Sequence, residues 1–150
     1  LRFQLKSKTS EGKVNLAAIR TAEESYLAEF GAYIAAASAP GVVGTPPGSQ
    51  KAPWPTAPPP PDFSTIGWGP EGDVFFNYGI TINATATAYT ASAEADLDAD
   101  GAVQQWGYAK PDAAGVAIDG LACPWAGLSA MTQVGPCDAA GLAVFGQSVF

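Results

Sequence analysis

The chain has 150 residues, a net charge of −7, two cysteines and no histidine. A chain of this length forms one domain and buries about 68–70% of its unfolded surface. The lack of histidine excludes Ser-His-Asp and Cys-His nucleophile systems and imidazole zinc sites. The acidic balance argues against a nucleic-acid surface, which needs clustered Lys and Arg. With 29 Ala and 17 Gly, the interior must combine small side chains with aromatic rings, which favours a structural protein over an enzyme.

Charge is distributed unevenly along the chain. The first twenty residues carry +4, because Glu11 is their only acidic residue and they hold five of the seven basic ones: Arg2, Lys6, Lys8, Lys13 and Arg20. The other 130 residues carry −11. No stretch of 18 apolar residues occurs, so we expect neither a membrane-spanning helix nor a signal peptide within these residues. Since the chain starts at Leu1 and not at Met, we expect a processed or partial protein; an arbitrary boundary in an ordinary domain is the alternative.

The first 37 residues are predicted to form one long helix. Apolar residues recur at steps of three, four and seven, which places them on one helix face: Leu16, Ile19, Tyr26, Phe30 and Tyr33. Only the later half has a full apolar face, so we expect that half to pack on the body and the earlier half to project. We interpret the aromatic row as a packing face; an electron-conducting stack is the alternative.

Residues 38–72 are predicted to form a Pro-rich loop. Nine of the thirteen prolines lie in residues 39–62, a composition that excludes a helix or a central strand there. We expect a short polyproline II rod from Pro58 to Pro61. Trp54 lies between two prolines, and we expect it to pin the loop to the body; recognition of this stretch by a partner domain is the alternative.

Residues 73–110 are predicted to form an antiparallel sheet. Ile80, Ile82 and the alanines up to Ala88 alternate with polar residues, which is typical of a half-buried strand. An Asp-Gly step at Asp100 separates two further alternating runs and indicates a hairpin. We therefore expect three or four strands. Residues 116–118 and 142–145 are weaker strand candidates in the Gly- and Ala-rich C-terminal region, 111–150.

The two cysteines are predicted to form a disulfide. Cys123 and Cys137 lie in a segment rich in Gly and Pro, and no other Cys or His is present to complete a metal site. Closing a loop of about 15 residues stabilises a fold by roughly 3 kcal/mol in the chain-entropy model. A disulfide would place the body in an oxidising compartment. Two free buried thiols are the alternative.

An acidic turn is the candidate metal site. Asp96, Asp98 and Asp100, followed by Gly101, match the opening D-x-D-x-D-G of a calcium loop. Position twelve, where that loop needs Glu, is Gly107, so the EF-hand pattern fails. A solvated hairpin turn is the plainer interpretation, and a weaker calcium site with backbone ligands is the alternative. Asn83-Ala-Thr85 is a formal glycosylation sequon, but it falls within a predicted strand.

The stretch from Arg2 to Tyr26 resembles the type IV pilin family, especially the major pilins of myxobacteria. It contains their F-Q-x-x-S-K-x-S-E-x-K-x-N-L pattern, which here runs from Phe3 to Leu16. The segment 133–141 is similar to the C-terminal cysteine region of those pilins, and 96–101 resembles an acidic hairpin common in pilin-like proteins. The clearest similarity covers about 35 residues at the front and about ten at the back.

The resemblance implies an α+β pilin fold, in which a long N-terminal helix packs on an antiparallel sheet of about four strands with a C-terminal disulfide loop. Residues 1–150 would be a single pilin ectodomain that lacks roughly its first two dozen mature residues, an apolar assembly helix. No catalytic or assembly residue carries over to this chain, so no enzyme activity is expected, and no cofactor is required beyond an optional calcium.

The implied function is that of a structural filament subunit for motility, adhesion or uptake. Its partners would be other copies in a helical filament, the assembly machinery at the inner membrane, and the membrane itself through the missing helix, with no nucleic acid. The location would be the inner membrane and periplasm, then an extracellular pilus of a Gram-negative bacterium. A type II secretion pseudopilin, stabilised by calcium, is the near alternative. A secreted calcium- or carbohydrate-binding module is the alternative of another class.

Overall fold

A computed structural model describes residues 2–124, 128 and 132–137, with the backbone alone at Arg2. The helices are α1 (Arg2–Phe30) and α2 (Pro61–Thr65), and the strands are β1 (Ala36–Ala39), β2 (Asn77–Ile82), β3 (Tyr89–Ala95), β4 (Gln104–Lys110) and β5 (Gly135–Cys137). The strands form one antiparallel sheet in the order β1-β2-β3-β4-β5. The predicted α+β arrangement of a long helix on an antiparallel sheet is confirmed, with five strands among the described residues where about four were expected. Neither described helix has the length and apolarity needed to cross a membrane.

The earlier half of α1 packs on the body, contrary to the expectation that it projects. One row of the helix is buried at steps of three and four residues: Leu5, Thr9, Gly12, Leu16, Ile19 and Glu23. Gly12 brings the helix close to the Phe76 ring, since an added Cβ would lie 2.8 Å from it. The hydrophobic pattern did not predict this packing, because three of the six residues in the buried row are not apolar.

α1 ends seven residues before the expected end at residue 37. Gly31 has φ +78° and its N–H donates to the Leu27 carbonyl at 2.7 Å, which terminates the helix at Phe30. Tyr33 therefore lies beyond the helix, where its ring packs edge-on against Tyr89 at 4.6 Å. The predicted aromatic helix face is wrong: Phe30 is 61% exposed, and Tyr33 reaches the core from a different segment.

The Pro-rich region contains more regular structure than its composition predicted. β1 pairs with β2 at the edge of the sheet, and α2 begins at Pro61, a position where the missing N–H of proline costs nothing. Pro61, the predicted end of a polyproline rod, is therefore the first residue of a helix. The prediction that Trp54 pins this region to the body is confirmed, because its ring packs against the core and lies 6.4 Å from the Tyr78 ring of β2.

The predicted strand through Ala88 stops six residues early, and 83–88 form a turn between β2 and β3. The Asn83 Oδ1 accepts the backbone N–H groups of Thr87 at 2.8 Å and Ala88 at 3.1 Å. An Asn side chain that bonds the backbone in this way competes with strand pairing. The Asp-Gly hairpin is confirmed, since β3 and β4 pair from Tyr89↔Lys110 to Ala95↔Gln104.

β3 is the central strand and is covered on both faces. Tyr89, Ala91, Ala93 and Ala95 alternate along it and share a face with Trp106 and Tyr108 of β4, beneath α1. On the opposite face, Thr90 Oγ1 donates to the Ile118 carbonyl at 2.7 Å, so segment 116–118 lies across the sheet and is not the strand that was predicted. The other weak candidate, 142–145, lies outside the described residues.

Candidate functional site

The outward side of α1 is the candidate functional surface. Opposite the buried row, exposed residues recur at steps of three, four and seven, and all but two are small; we call them the free helix face: Phe3, Ser7, Ser10, Val14, Thr21, Ser25 and Ala28. Phe3 is 81% exposed and Val14 is 65% exposed. Small side chains let a second helix approach to about 8–10 Å between axes, and the two apolar residues add surface that water solvates poorly. This face can therefore accept another helix.

Glu11 holds the earlier half of α1 against the sheet. Its Oε1 accepts the Phe75 backbone N–H at 2.9 Å and the Tyr78 hydroxyl at 3.0 Å, and Lys51 Nζ lies 3.9 Å from its Oε2. Asn15 Nδ2 donates to the same Tyr78 hydroxyl at 2.9 Å. These contacts set which side of the helix faces the body, and so which side is left free. Sequence reasoning missed them, because Glu11 appeared only as the single acid in a basic arm.

Three of the five basic residues in the first twenty positions lie over aromatic rings of the body. Lys8 Nζ lies 4.8 Å from the centre of the Phe75 ring, Lys13 Nζ 4.6 Å from Trp106, and the Arg20 guanidinium 5.4 Å from Tyr108. Each such contact contributes about 0.5–1 kcal/mol at an exposed site. Lys8 also donates to the Ser49 carbonyl at 3.2 Å. These three cations therefore lie along the contact between the helix and the sheet.

The disulfide between Cys123 and Cys137 is confirmed, with the two Cα atoms 5.7 Å apart. It lies against β4, where an added Cβ at Gly107 would be 2.7 Å from the Cys123 sulfur. β5 contains Cys137 and pairs with β4, so the disulfide ties segment 119–123 to the edge of the sheet. Its contribution is to stability, since it closes a loop across the sheet edge.

The structure brings the three predicted calcium residues together. Ligand oxygens from Asp96, Asp98 and Asp100 lie within 4.8 Å of one another. Backbone N–H groups of the turn already bond these carboxylates: Asp100 to Asp96 Oδ1 at 3.2 Å, Gly101 to Asp96 Oδ2 at 3.0 Å, and Ala102 to Asp100 Oδ1 at 2.7 Å. Desolvation, followed by repulsion from Asp100 and Asp96, raises the pKa of Asp98. The oxygens suit a hard cation, and the turn is also complete without one.

A second acidic residue that sequence reasoning missed is Glu23. Its side chain is fully buried, and both carboxylate oxygens accept the Ile34 backbone N–H, at 3.2 and 3.3 Å. Its signal in the sequence was its place four residues after Ile19, on the row that also holds Leu16. A charged residue on a buried helix row marks a specific polar contact, because an unpaired buried charge is costly.

Comparison of the chain with protein-family models, curated protein sequences and solved structures found no match. The resemblance of the N-terminal stretch to pilins therefore has no independent support from relatives. The feature of this surface that bears on function is that α1 has one face bound to the sheet and the other exposed.

Proposed function

We propose that this chain is the globular part of a type IV pilin-like filament subunit, and that its free helix face packs against helices of other copies. The observation that carries the proposal is the division of α1 into two faces. One face is tied to the sheet through Leu16, Ile19 and the Glu11 hydrogen bonds. The opposite face carries exposed Phe3 and Val14 among small residues. A helix whose two sides have different partners suits a subunit that joins its own body to a common core.

The pilin-like sequence pattern supports the same role. Its residues fall on both faces: Glu11 and Leu16 contact the body, whereas Phe3 and Ser10 lie on the free helix face. An apolar segment ahead of Leu1 would anchor the subunit in the inner membrane before assembly and would lie in the filament core afterwards. The sheet, the Pro-rich region and the disulfide segment would form the outer surface. The Cys123–Cys137 disulfide suits folding in the periplasm and exposure outside the cell.

The reading frame upstream of Leu1 gives the first test. We expect a short basic leader, a cleavage-site glycine and about 20 apolar residues with a glutamate near their start. The second test is direct: filaments sheared from the source cells and purified should contain this chain as a major component in peptide mass spectrometry. An upstream region without the leader and apolar segment would overturn the proposal, as would sheared filaments that lack the chain in cells that express it.

A calcium-stabilised pseudopilin of a type II secretion system is the second candidate. The clustering of the Asp96, Asp98 and Asp100 oxygens favours it, because a cation would relieve their mutual repulsion. We expect calcium to raise the thermal midpoint by a few degrees, and Asp100→Asn to abolish that increase, while Glu71→Gln at an exposed loop position leaves it intact. A midpoint that responds to neither calcium nor chelator rules out the metal as a stabilising element.

A further inference from the structure

The segment that joins α1 to β1, residues 31–35, is held by a carboxylate. We call these five residues the connector. Ile34 donates its backbone N–H to Glu23 at 3.2 Å, Tyr33 donates its hydroxyl to Glu24 at 3.0 Å, and the Tyr33 backbone N–H donates to the Ala86 carbonyl at 3.0 Å. The connector thus contacts the end of α1 on one side and the β2–β3 turn on the other.

The surroundings of Glu23 disfavour its ionised form. Its side chain is fully buried, and its hydrogen-bond donor in the described structure is a single N–H shared by both oxygens. The other titratable or charged groups that face this cluster are Arg20 and Glu24 of α1, Tyr33 of the connector, Tyr89 of β3 and Tyr108 of β4. Arg20 lies over the Tyr108 ring, and the one ion pair found among the described residues joins Lys51 to Glu11.

Desolvation raises the pKa of Glu23 to about 7; repulsion from Glu24 adds to the increase, and the Ile34 hydrogen bond opposes it. The ordinary value is 4.5, so the folded protein retains a proton that the unfolded chain releases. Stability from this group is therefore fully present below about pH 4.5 and is lost as the pH rises to about 7.

We propose that the Glu23–Ile34 contact makes the connector pH-sensitive: with Glu23 protonated the connector stays bound to α1, and ionisation of Glu23 releases it. A protonated carboxyl group still accepts the Ile34 N–H through its carbonyl oxygen and carries no buried charge. Ionisation would leave a buried negative charge with one N–H donor, and displacement of Ile34, the connector residue that contacts the carboxylate, would give this charge access to water. The effect concerns the chain itself and does not depend on the proposed assembly.

The decisive measurement is a carbon-13 NMR titration of the Glu23 carboxyl group in the unaltered protein, together with the Ile34 amide. We expect both signals to change with one midpoint near pH 7. Amide exchange at Tyr33 and Ile34, corrected for the intrinsic pH dependence of exchange, should increase at least fivefold from pH 6 to pH 8. A carboxyl midpoint near 4.5, or exchange that does not change with pH, would overturn the proposal.

Variants provide an independent test. We expect the thermal midpoint of the unaltered protein to fall between pH 5 and pH 8. Glu23→Gln keeps an oxygen for the Ile34 N–H and cannot ionise, so its midpoint should not show this fall. The matched control is Glu29→Gln, an exposed carboxylate near the end of α1, which should keep that fall in full. An equal fall in Glu23→Gln and Glu29→Gln would contradict the proposal. If Glu23→Gln does not fold, the NMR titration alone decides the question.

Discussion

The two faces of α1, one on the sheet and one exposed, both carry apolar residues but differ in what these residues contact. The face on the sheet places Leu5, Leu16 and Ile19 against the core and adds Glu11 and Glu23 as hydrogen-bonding groups at separate points. The free helix face carries Phe3 and Val14 among Ser, Thr and Ala, and none of these residues is buried in the described structure. The comparison shows that the polarity of a residue on this helix does not decide whether it is buried. Its position relative to the sheet does.

This difference has a physical origin in the sheet. β3, the strand beneath the helix, has alanines at its centre, so the helix lies close to it. A small residue is also needed at Gly12, where the helix contacts the Phe76 ring. Backbone N–H groups at Phe75 and Ile34 are left near the helix and need acceptors, which Glu11 and Glu23 supply. A helix that must supply such acceptors cannot have a purely apolar buried side.

The largest effect is expected from Leu16→Ala on the face that contacts the sheet. Leu16 is fully buried, and the variant should lower the free energy of unfolding by about 3 kcal/mol, the cost of the lost contacts and the cavity. The matched control is Val14→Ala, two residues away on the free helix face, which should change it by less than about 0.5 kcal/mol. Urea denaturation measures both, and equal losses would contradict the assignment of the two faces.

Glu11→Ala should lower the free energy of unfolding by about 2 kcal/mol. The variant leaves the Phe75 N–H and the Tyr78 hydroxyl without the acceptor that bonds both. Glu29→Ala, which removes an exposed carboxylate of the same helix, is the control and should have an effect below about 0.5 kcal/mol. If both variants unfold at the same urea concentration, the Glu11 contacts do not hold the helix in place.

Gly12→Ala should lower the free energy of unfolding by about 1 kcal/mol, although alanine favours helices. The added methyl group would lie 2.8 Å from the Phe76 ring, and overpacking of this kind costs about 1–3 kcal/mol, partly offset by a gain of up to about 1 kcal/mol in helix propensity. In the double variant with Phe76→Leu the loss should be smaller than the sum of the single losses. Additive losses in the free energy of unfolding would show that Gly12 and Phe76 are not in contact.

Val14→Ser should have the smallest effect on folding and a large one on assembly. Val14 is 65% exposed, so the thermal midpoint should change by less than about a degree. In cells that express the full-length protein, the yield of sheared filaments should fall at least tenfold. The control is Thr56→Ser in the Pro-rich region, which should leave the yield unchanged. Normal filament yield from Val14→Ser would show that the free helix face takes no part in assembly.

Several features of the fold were predictable because their signals are local. The Asp-Gly hairpin, the two cysteines and the long helix each depend on a short stretch whose chemistry permits few alternatives. Gly31 was a signal in the sequence for the early end of α1. The apolar spacing continues to Tyr33, so the helix was predicted to continue past this glycine. The aromatic residues beyond Gly31 reach the core because the connector turns back, which periodicity alone does not show.

Other features depended on tertiary contacts and could not be predicted. β1 consists of Ala and Ser, which favour no strand, and it forms because its backbone pairs with β2. The Thr and Ala alternation after Ile82 indicates a strand, yet Asn83 bonds the backbone and closes a turn. For the candidate site, the three clustered aspartates were found from their spacing. The free helix face was not, since the prediction identified only Leu16 and Ile19 of the buried row opposite to it.

The most direct test of the proposed role compares labelling of single introduced cysteines in the isolated chain and in purified filaments of the full-length protein. Val14→Cys on the free helix face and Thr56→Cys in the Pro-rich region are both exposed positions, and both should react with maleimide in the isolated chain. In filaments, Val14→Cys should lose at least nine-tenths of its labelling and Thr56→Cys should keep it. Equal labelling of Val14→Cys in both forms would contradict the account.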